Sequence, residues 1–241
     1  MSRFLCILCA LNLAAFGAEK SEDAKTPAMR EVAPGIYEIG GIHLDKNTNS
    51  LSFPCKVQMN EGGVEYLICT TRGSTHESVL VTDIQPSDIH FAMLLLGAKG
   101  AGILAPAPGD APPAQIDAEY LKRAPRLKGD NVTITARWKD AAGKEQSAPV
   151  EDWVLNFNDK KSASRGPWIY TGSMFAEEKF LAQMEGSIAA IVTNPAALIN
   201  NPRKGSDNDQ IWQVNAKKIP PVETPVEVTL KIETAPESKK K

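Results

Sequence analysis

Apolar and polar positions alternate along much of this chain and predict a protein built mainly from strands. The sequence NVTITARWK (residues 131–139) puts its apolar residues on one face, which is the period of a half-buried strand. SFPCKVQM (residues 52–59) alternates in the same way. The segment AEEKFLAQME (residues 176–185) fits a helix and a strand equally well. Further short strands are predicted over PVEDWVLNF, PWIYTGSMF, GSIAAIVTN, IWQVNA and TPVEVTLKIE.

The first half of the chain also carries turn and helix signals. Gly40-Gly41 breaks a short early strand, GIYEIGGIHL, and Glu61-Gly62-Gly63 predicts the turn of a hairpin whose return strand is VEYLICTT. A third strand, HESVLVTD, follows. The sequence from Pro86 to Gly97 then predicts a helix with apolar residues at helical spacing. We expect that apolar stripe to pack on the first sheet.

The predicted hairpin allows two registers, which give different states for the cysteines. In one register Cys55 faces Cys69 within disulfide reach. In the other, Cys55 faces Ile68 and Cys69 points to the opposite face of the sheet. The second register collects more apolar residues on one face and is preferred, so it predicts two free thiols.

Taken together, these patterns predict an α+β fold, mainly antiparallel β in two strand-rich halves, with one clear helix packed on the first sheet. Five proline residues between the halves indicate a linker or a long excursion. The predicted organisation is a signal peptide (1–18), a flexible leader (19–33), a hairpin sheet plus helix (34–102), a proline-rich linker or excursion (103–129), an antiparallel β-rich part (130–234) and a charged tail (235–241).

The N-terminal residues are typical of an exported protein. Arg3 precedes an apolar run from residue 4 to residue 16, and small residues follow at Gly17 and Ala18. Cleavage after either of these is expected, which predicts a periplasmic or secreted protein. The alternative is an uncleaved anchor, although the run is short for a membrane span.

Composition excludes several classes of function. The formal net charge is −2, and the sequence shows no basic stripe of the kind that nucleic-acid binding requires. Cleavage would leave only Cys55 and Cys69, too few for an iron–sulfur cluster. No cofactor is expected, and no later segment is long and apolar enough to cross a membrane. The expected partner is an unidentified ligand or protein of the envelope.

Several stretches together resemble the YdjY-domain family of exported bacterial proteins. They are FPCKVQMNEGGVEYLICTTRGSTHESVLVTDIQPSDIHFAMLLLGAKG, VEDWVLNF, WIYTGSMF, GSIAAIVTNPAALIN and IWQVN, within residues 50–230. The resemblance implies an exported location. It implies no established activity and therefore assigns no catalytic residue to this chain.

Three residues are candidates for catalysis, namely His76, Glu77 and His90. His76 and Glu77 are adjacent, so on a strand they would point to opposite faces. The sequence contains no Gly-x-Ser-x-Gly nucleophile motif, and the simpler interpretation is a polar cluster at the start of a strand. The histidines, including His43, lack the close spacing of metal ligands, so no metal site is predicted.

Three aromatic residues, Trp153, Trp168 and Tyr170, are candidates for a ligand platform. At strand spacing, such residues more often belong to a core. The preferred hypothesis is a non-catalytic binding or scaffold module of the envelope, and the alternative is an envelope enzyme, for example a hydrolase centred on His76, Glu77 and His90. An enzyme would bring two of these side chains into one pocket, whereas a binding module would expose an apolar or aromatic patch.

Overall fold

The fold is described by a computed structural model that covers residues 28–103 and 127–233. Its helices are α1 (Pro86–Leu95) and α2 (Leu181–Glu185), with short 3-10 helices at Thr75–Glu77 and Val150–Trp153. The strands, in chain order, are β1 (Met29–Ala33), β2 (Ile36–Ile39), β3 (Ile42–Asp45), β4 (Ser50–Val57), β5 (Tyr66–Thr70), β6 (Ser78–Thr82), β7 (Gly100–Ile103), β8 (Leu127–Lys139), β9 (Glu145–Pro149), β10 (Val154–Asn156), β11 (Lys161–Ser162), β12 (Trp168–Tyr170), β13 (Phe175–Ala176), β14 (Lys179–Phe180), β15 (Ser187–Ala190), β16 (Ile199–Asn200), β17 (Trp212–Val214) and β18 (Pro225–Ile232).

Eight of these strands close into a barrel in the order β4-β18-β8-β12-β16-β15-β5-β6. The ring closes because β6 pairs with β4 as well as with β5. The pairs β5–β6 and β15–β16 are parallel, and the other neighbours are antiparallel. β1, β2 and β3 extend the sheet from β4 as a meander. Closure removes the free edges of these eight strands, which would otherwise be open to pairing with other chains.

The predicted fold class is therefore wrong in its arrangement. There are no two separate strand-rich halves among the described residues, because β5, β6 and β4 form one arc of the barrel and strands from residue 127 onwards complete the same ring. Nor does α1 lie across a first sheet. It contacts β3 and α2, and its buried residues Ile89, Ala92 and Met93 join the common core.

The predicted hairpin between residues 52 and 71 is also wrong. β4 and β5 do not pair, since β4 pairs with β3, β6 and β18, while β5 pairs with β6 and β15. Val64 lies outside any strand, and its amide donates to the carbonyl of Trp212 at 3.1 Å. The Glu61-Gly62-Gly63 segment therefore leads the chain past the position of β6 to β5, rather than back along β4.

The alternation predicted for residues 131–139 is confirmed in β8, and matching faces on its neighbours complete the barrel core. Residues that face each other across β4, β18 and β8 share one side of the sheet, as the registers require. These buried residues are Leu51, Phe53, Cys55, Val132, Ile134, Ala136, Val226, Val228 and Leu230. Burying one large aliphatic or aromatic side chain of this kind contributes about 1.5–3 kcal/mol.

Local turn signals were read correctly at Gly40-Gly41, which joins β2 to β3. Both residues have positive φ, +53° and +89°, as the two-residue turn of a tight hairpin requires. The undecided segment 176–185 contains both structures, because the β13–β14 hairpin is followed directly by α2.

Other predicted segments fall partly or wholly outside the described residues. The signal peptide, the start of the leader, most of the proline-rich segment and the charged tail lie there. Met29–Ala33, at the end of the predicted leader, forms β1 and pairs with β2. β7 and the first residues of β8 pair at the two ends of the proline-rich segment.

Candidate functional site

His76 and Glu77 lie in a 3-10 helix rather than in a strand. The His76 Nε2 atom is 3.9 Å from a Glu77 carboxylate oxygen, and the His76 side chain is 80% exposed. The next residue, Ser78, donates its hydroxyl to the Ser74 carbonyl at 2.6 Å and stabilises the turn before β6. His76 is therefore mostly in solvent, whereas the Glu77 side chain, at 27% exposure, is partly covered.

His90 lies on α1 and makes quite different contacts. Its Nδ1 atom is 2.7 Å from the Tyr170 hydroxyl, and its ring centre is 5.0 Å from that of Phe180. Burial lowers the pKa of His90, so the ring is favoured in its neutral form. His90 therefore connects α1 to β12 and β14, and its contacts include neither His76 nor Glu77.

The three candidate aromatic residues are all buried in the core. Trp168 donates its indole N–H to Glu151 Oε1 at 3.1 Å, and Tyr170 contacts His90. Trp153 packs edge-on against Trp138, with ring centres 5.3 Å apart. Rings with 0–1% exposure do not offer a surface on which a ligand could stack.

A buried ion pair holds Trp168 in place. The Arg203 guanidinium lies 2.8 Å from Glu151, and the two side chains are only 8% and 5% exposed. Arg203 also donates to the backbone carbonyls of Ser164 and Gly166, each at 2.6 Å, and its Cζ lies 5.0 Å from the centre of the Trp168 ring. Arg203 and Glu151 form their hydrogen bonds with other groups of the protein, which indicates a structural role for the pair.

Sequence reasoning missed this pair, because its two members are 52 residues apart and neither lies in a recognisable motif. The neighbouring Arg165, by contrast, is exposed and bonds Asp152 at 2.7 Å.

The exposed surface instead presents an apolar patch where α1, α2 and the β13–β14 hairpin meet. We call Leu94, Phe175, Phe180 and Met184 the hairpin patch. The exposed fractions of Leu94, Phe175 and Met184 are 50%, 65% and 63%. Phe180 is half-buried, with its ring centre 5.1 Å from that of Phe175. Large apolar side chains that cluster on a surface typically mark an interaction site.

Ring contacts join the hairpin to α1. The Phe180 ring lies at a tilted angle against both the Phe175 ring and the His90 ring, with ring centres 5.1 Å and 5.0 Å apart. Leu94 follows His90 one helical turn later on α1, and Met184 lies on α2, which contacts both α1 and β14.

Hydrogen bonds hold this region in a defined shape. Gln183 bonds the Gln85 side chain at 2.6 Å and accepts the amide of Ser87 at 3.1 Å, which ties α2 to the start of α1. The Ser173 hydroxyl donates to the Ala196 carbonyl and accepts the Ala182 amide at 3.0 Å. The exposed side chains are therefore presented by a pre-organised backbone, which reduces the entropy lost on binding.

A large polar cleft lies elsewhere, with a volume of about 1070 Å³. Its lining includes Glu65, Asp159, Asp207, Asp209 and Lys204. Burial raises the pKa of Glu65, and the nearby carboxylates of Glu77 and Asp209 raise it further, while His76 opposes the shift. These neighbouring carboxylates repel one another. The described part of the chain contains no group of three His, Cys, Asp or Glu side chains placed to hold a metal ion.

A second groove, of about 620 Å³, lies on the outer side of β4, β18 and β8. Its lining includes His43, Arg137, Trp138, Lys139 and Glu227, and Arg137 forms an ion pair with Glu227. The lining of the groove, like that of the cleft, includes none of the three candidate catalytic residues. Within residues 28–103 and 127–233, no helix has both the length and the apolar character needed to cross a lipid bilayer.

Comparison with known proteins identifies one relationship. The family model described as YdjY domain matches residues 42–231, which include the hairpin patch and the eight strands of the barrel except for Ile232, the last residue of β18. No curated protein and no solved structure matches the chain.

Proposed function

This chain belongs to the YdjY domain family, and from that premise we propose that it is an exported, non-catalytic binding or scaffold module of the bacterial envelope. The observation that carries the proposal is the hairpin patch, where Leu94, Phe175 and Met184 are each at least half exposed on a rigid backbone. The apolar N-terminal run after Arg3 supports export.

The arrangement of the candidate catalytic residues also favours binding over catalysis. General acid–base chemistry requires its groups within hydrogen-bond reach of one substrate. His76 and Glu77 lie on an exposed turn, whereas His90 is engaged by Tyr170 and Phe180. Binding through an apolar patch needs no such convergence.

A photocrosslinking experiment tests the proposal in the native envelope. A photoreactive amino acid replaces Phe175 in one strain and Val222 in another, because Val222 is also an exposed apolar residue, at 43%, but lies outside the patch. We expect a discrete adduct from position 175 and none of the same mass from position 222.

The partner identified from that adduct is then purified, and its affinity is measured for the wild type and for Met184→Ser. We expect the substitution to weaken binding at least about tenfold, which is the effect of losing one well-buried apolar anchor at an interface. Equal affinities, or equal adducts at positions 175 and 222, would refute the proposal.

A further inference from the structure

We propose that the hairpin patch binds a protein segment that combines large apolar side chains with lysine or arginine residues. This inference rests on the proposed binding function and adds the charge of the partner. It is carried by the tip of the β13–β14 hairpin, where Glu177 and Glu178 form the two-residue loop between Ala176 and Lys179.

Both tip residues adopt a backbone conformation that glutamate disfavours. The φ angles are +49° at Glu177 and +64° at Glu178. A hairpin loop with two positive φ angles normally carries Asn and Gly, since other side chains meet a steric penalty there. The chain nevertheless places two exposed carboxylates at this position, directly beside Phe175.

The elements that form the patch carry mostly negative charge. Glu177 and Glu178 lie on the hairpin and Glu185 lies at the end of α2, against Lys179 on the hairpin and Arg72, which donates to the Gln85 side chain at 3.0 Å. The Glu185 carboxylate also accepts a hydrogen bond from Asn194 at 3.1 Å. An apolar surface with an acidic border is complementary to a segment with apolar anchors and cationic neighbours.

The same charges disfavour two other occupants. An anionic lipid surface would be repelled by Glu177 and Glu178 as Phe175 approached it. A second copy of this chain, related by two-fold symmetry, would place one acidic tip in the same interface as the other. A cationic and apolar segment meets neither difficulty.

Two synthetic 18-residue amphipathic peptides test the inference on the full mature protein. They share a Leu and Phe apolar face, but one carries Lys and the other Glu on its polar face, and binding is followed by fluorescence anisotropy. We expect the Lys peptide to bind more tightly. We expect Glu177→Gln/Glu178→Gln to reduce the affinity for the Lys peptide by about threefold to tenfold, which is the effect of losing two exposed charge pairs. The reduction should be smaller at high salt.

Matched variants separate the two proposals. Glu61→Gln/Glu233→Gln removes two exposed carboxylates from other parts of the surface and should leave the affinity unchanged. Phe175→Ser/Met184→Ser should weaken both peptides. If both peptides lose affinity in that variant but bind the wild type equally, the charge inference is wrong and the patch still binds. If Phe175→Ser/Met184→Ser weakens neither peptide, the proposed function itself fails at this surface.

Two further measurements address the other occupants. Binding to vesicles of anionic phospholipid that is lost in Phe175→Ser would overturn the inference in favour of lipid. A dimer detected by light scattering that is lost in the same variant would overturn it in favour of a second copy. A monomeric protein that does not bind the vesicles and binds the Lys peptide more tightly than the Glu peptide supports the inference.

Discussion

Glu151 and Arg203 show how single residues in this protein depend on partners that are distant along the chain. Each would be costly to bury alone, and together they also fix Trp168 and the backbone carbonyls of Ser164 and Gly166. At the same scale, His90 gains a role from Tyr170, which is 80 residues away in sequence. Residue identity alone does not reveal these roles.

Replacing Arg203 with Met should destabilise the fold strongly. The buried Glu151 carboxylate would lose its closer cation and keep only the 3.9 Å contact with Arg165, and breaking a buried pair typically costs about 3–5 kcal/mol. The matched control is Arg137→Ala, which removes an arginine that is 57% exposed and paired with Glu227, and it should cost no more than about 1 kcal/mol. Urea unfolding followed by tryptophan fluorescence measures both. A cost below about 1 kcal/mol for Arg203→Met would show that the pair does not support the fold.

His90 should make the stability depend on pH in the acidic range. Burial lowers its pKa below the usual value of 6.5, so the unfolded chain binds a proton that the folded protein resists. The free energy of unfolding that depends on neutral His90 is therefore complete above pH 6.5 and is lost as the pH falls through the folded pKa.

The pH effect of His90 is measured by urea unfolding at pH 7 and pH 5. We expect His90→Gln, which cannot titrate, to lose less stability between these values than the wild type. The control His76→Gln removes a histidine that is 80% exposed, and its stability at pH 7 should lie within about 1 kcal/mol of the wild type. Equal losses of stability between pH 7 and pH 5 in His90→Gln and the wild type would show that protonation of His90 does not cause the pH dependence.

At the scale of elements, local patterns predicted which segments are strands but not which strands pair. β8 and α1 follow their apolar periods, and Gly40-Gly41 makes the predicted turn. The hairpin expected from Glu61-Gly62-Gly63 does not form, because β4 and β5 both pair with β6 instead. Turn residues permit a reversal of the chain, but competing strands decide whether it happens.

The β13–β14 hairpin should become more stable with a conventional turn. Glu177→Asn/Glu178→Gly replaces two residues at positive φ by the pair that this turn prefers, and we expect a gain of about 1 kcal/mol in the free energy of unfolding. Glu177→Gln/Glu178→Gln keeps the backbone strain and should change stability by less than about 0.5 kcal/mol. Equal stabilities for the two double variants would mean that the turn stores no strain.

The preferred prediction of free cysteines is confirmed, although the register that motivated it is wrong. Cys55 and Cys69 are both free and buried, on β4 and β5, with β6 pairing to each of these strands. Burial raises the pKa of both thiols, which disfavours the reactive thiolate.

A thiol count with an aromatic disulfide reagent tests the state of the cysteines in the mature exported protein. We expect little reaction with the native protein and two reactive thiols after denaturation without a reductant. A count of zero in the denatured protein would demonstrate a disulfide.

At the scale of the whole molecule, strands from both sides of the proline-rich segment share one barrel and one core. The protein should therefore unfold as one unit over the described residues, because the first strands lack a closed core without β8 and β18.

The start of the mature protein is a further prediction at this scale. Export should remove the apolar run after Arg3, so that the mature chain begins near Ala18 or Glu19. Intact-mass measurement on protein recovered from the envelope checks this. A mass that retains Met1 would contradict cleavage and favour the uncleaved anchor.

The sequence by itself determined the features that depend on near neighbours. These are the buried face of β8, the helix α1, the Gly40-Gly41 turn and the resemblance to the YdjY family, which the match over residues 42–231 confirmed. Periodicity and turn chemistry act over a few residues, so they can be read without knowing the rest of the fold.

Only the tertiary structure decided how the barrel closes and where a partner could bind. Pairing of β4 with β18 joins residues as far apart as Lys56 and Pro225, through backbone groups that are the same in every sequence. The same closure buries Trp168 and leaves Phe175 exposed, although both are aromatic residues at strand positions. Whether an apolar side chain becomes core or surface depends on which element covers it, and that is a property of the assembled fold.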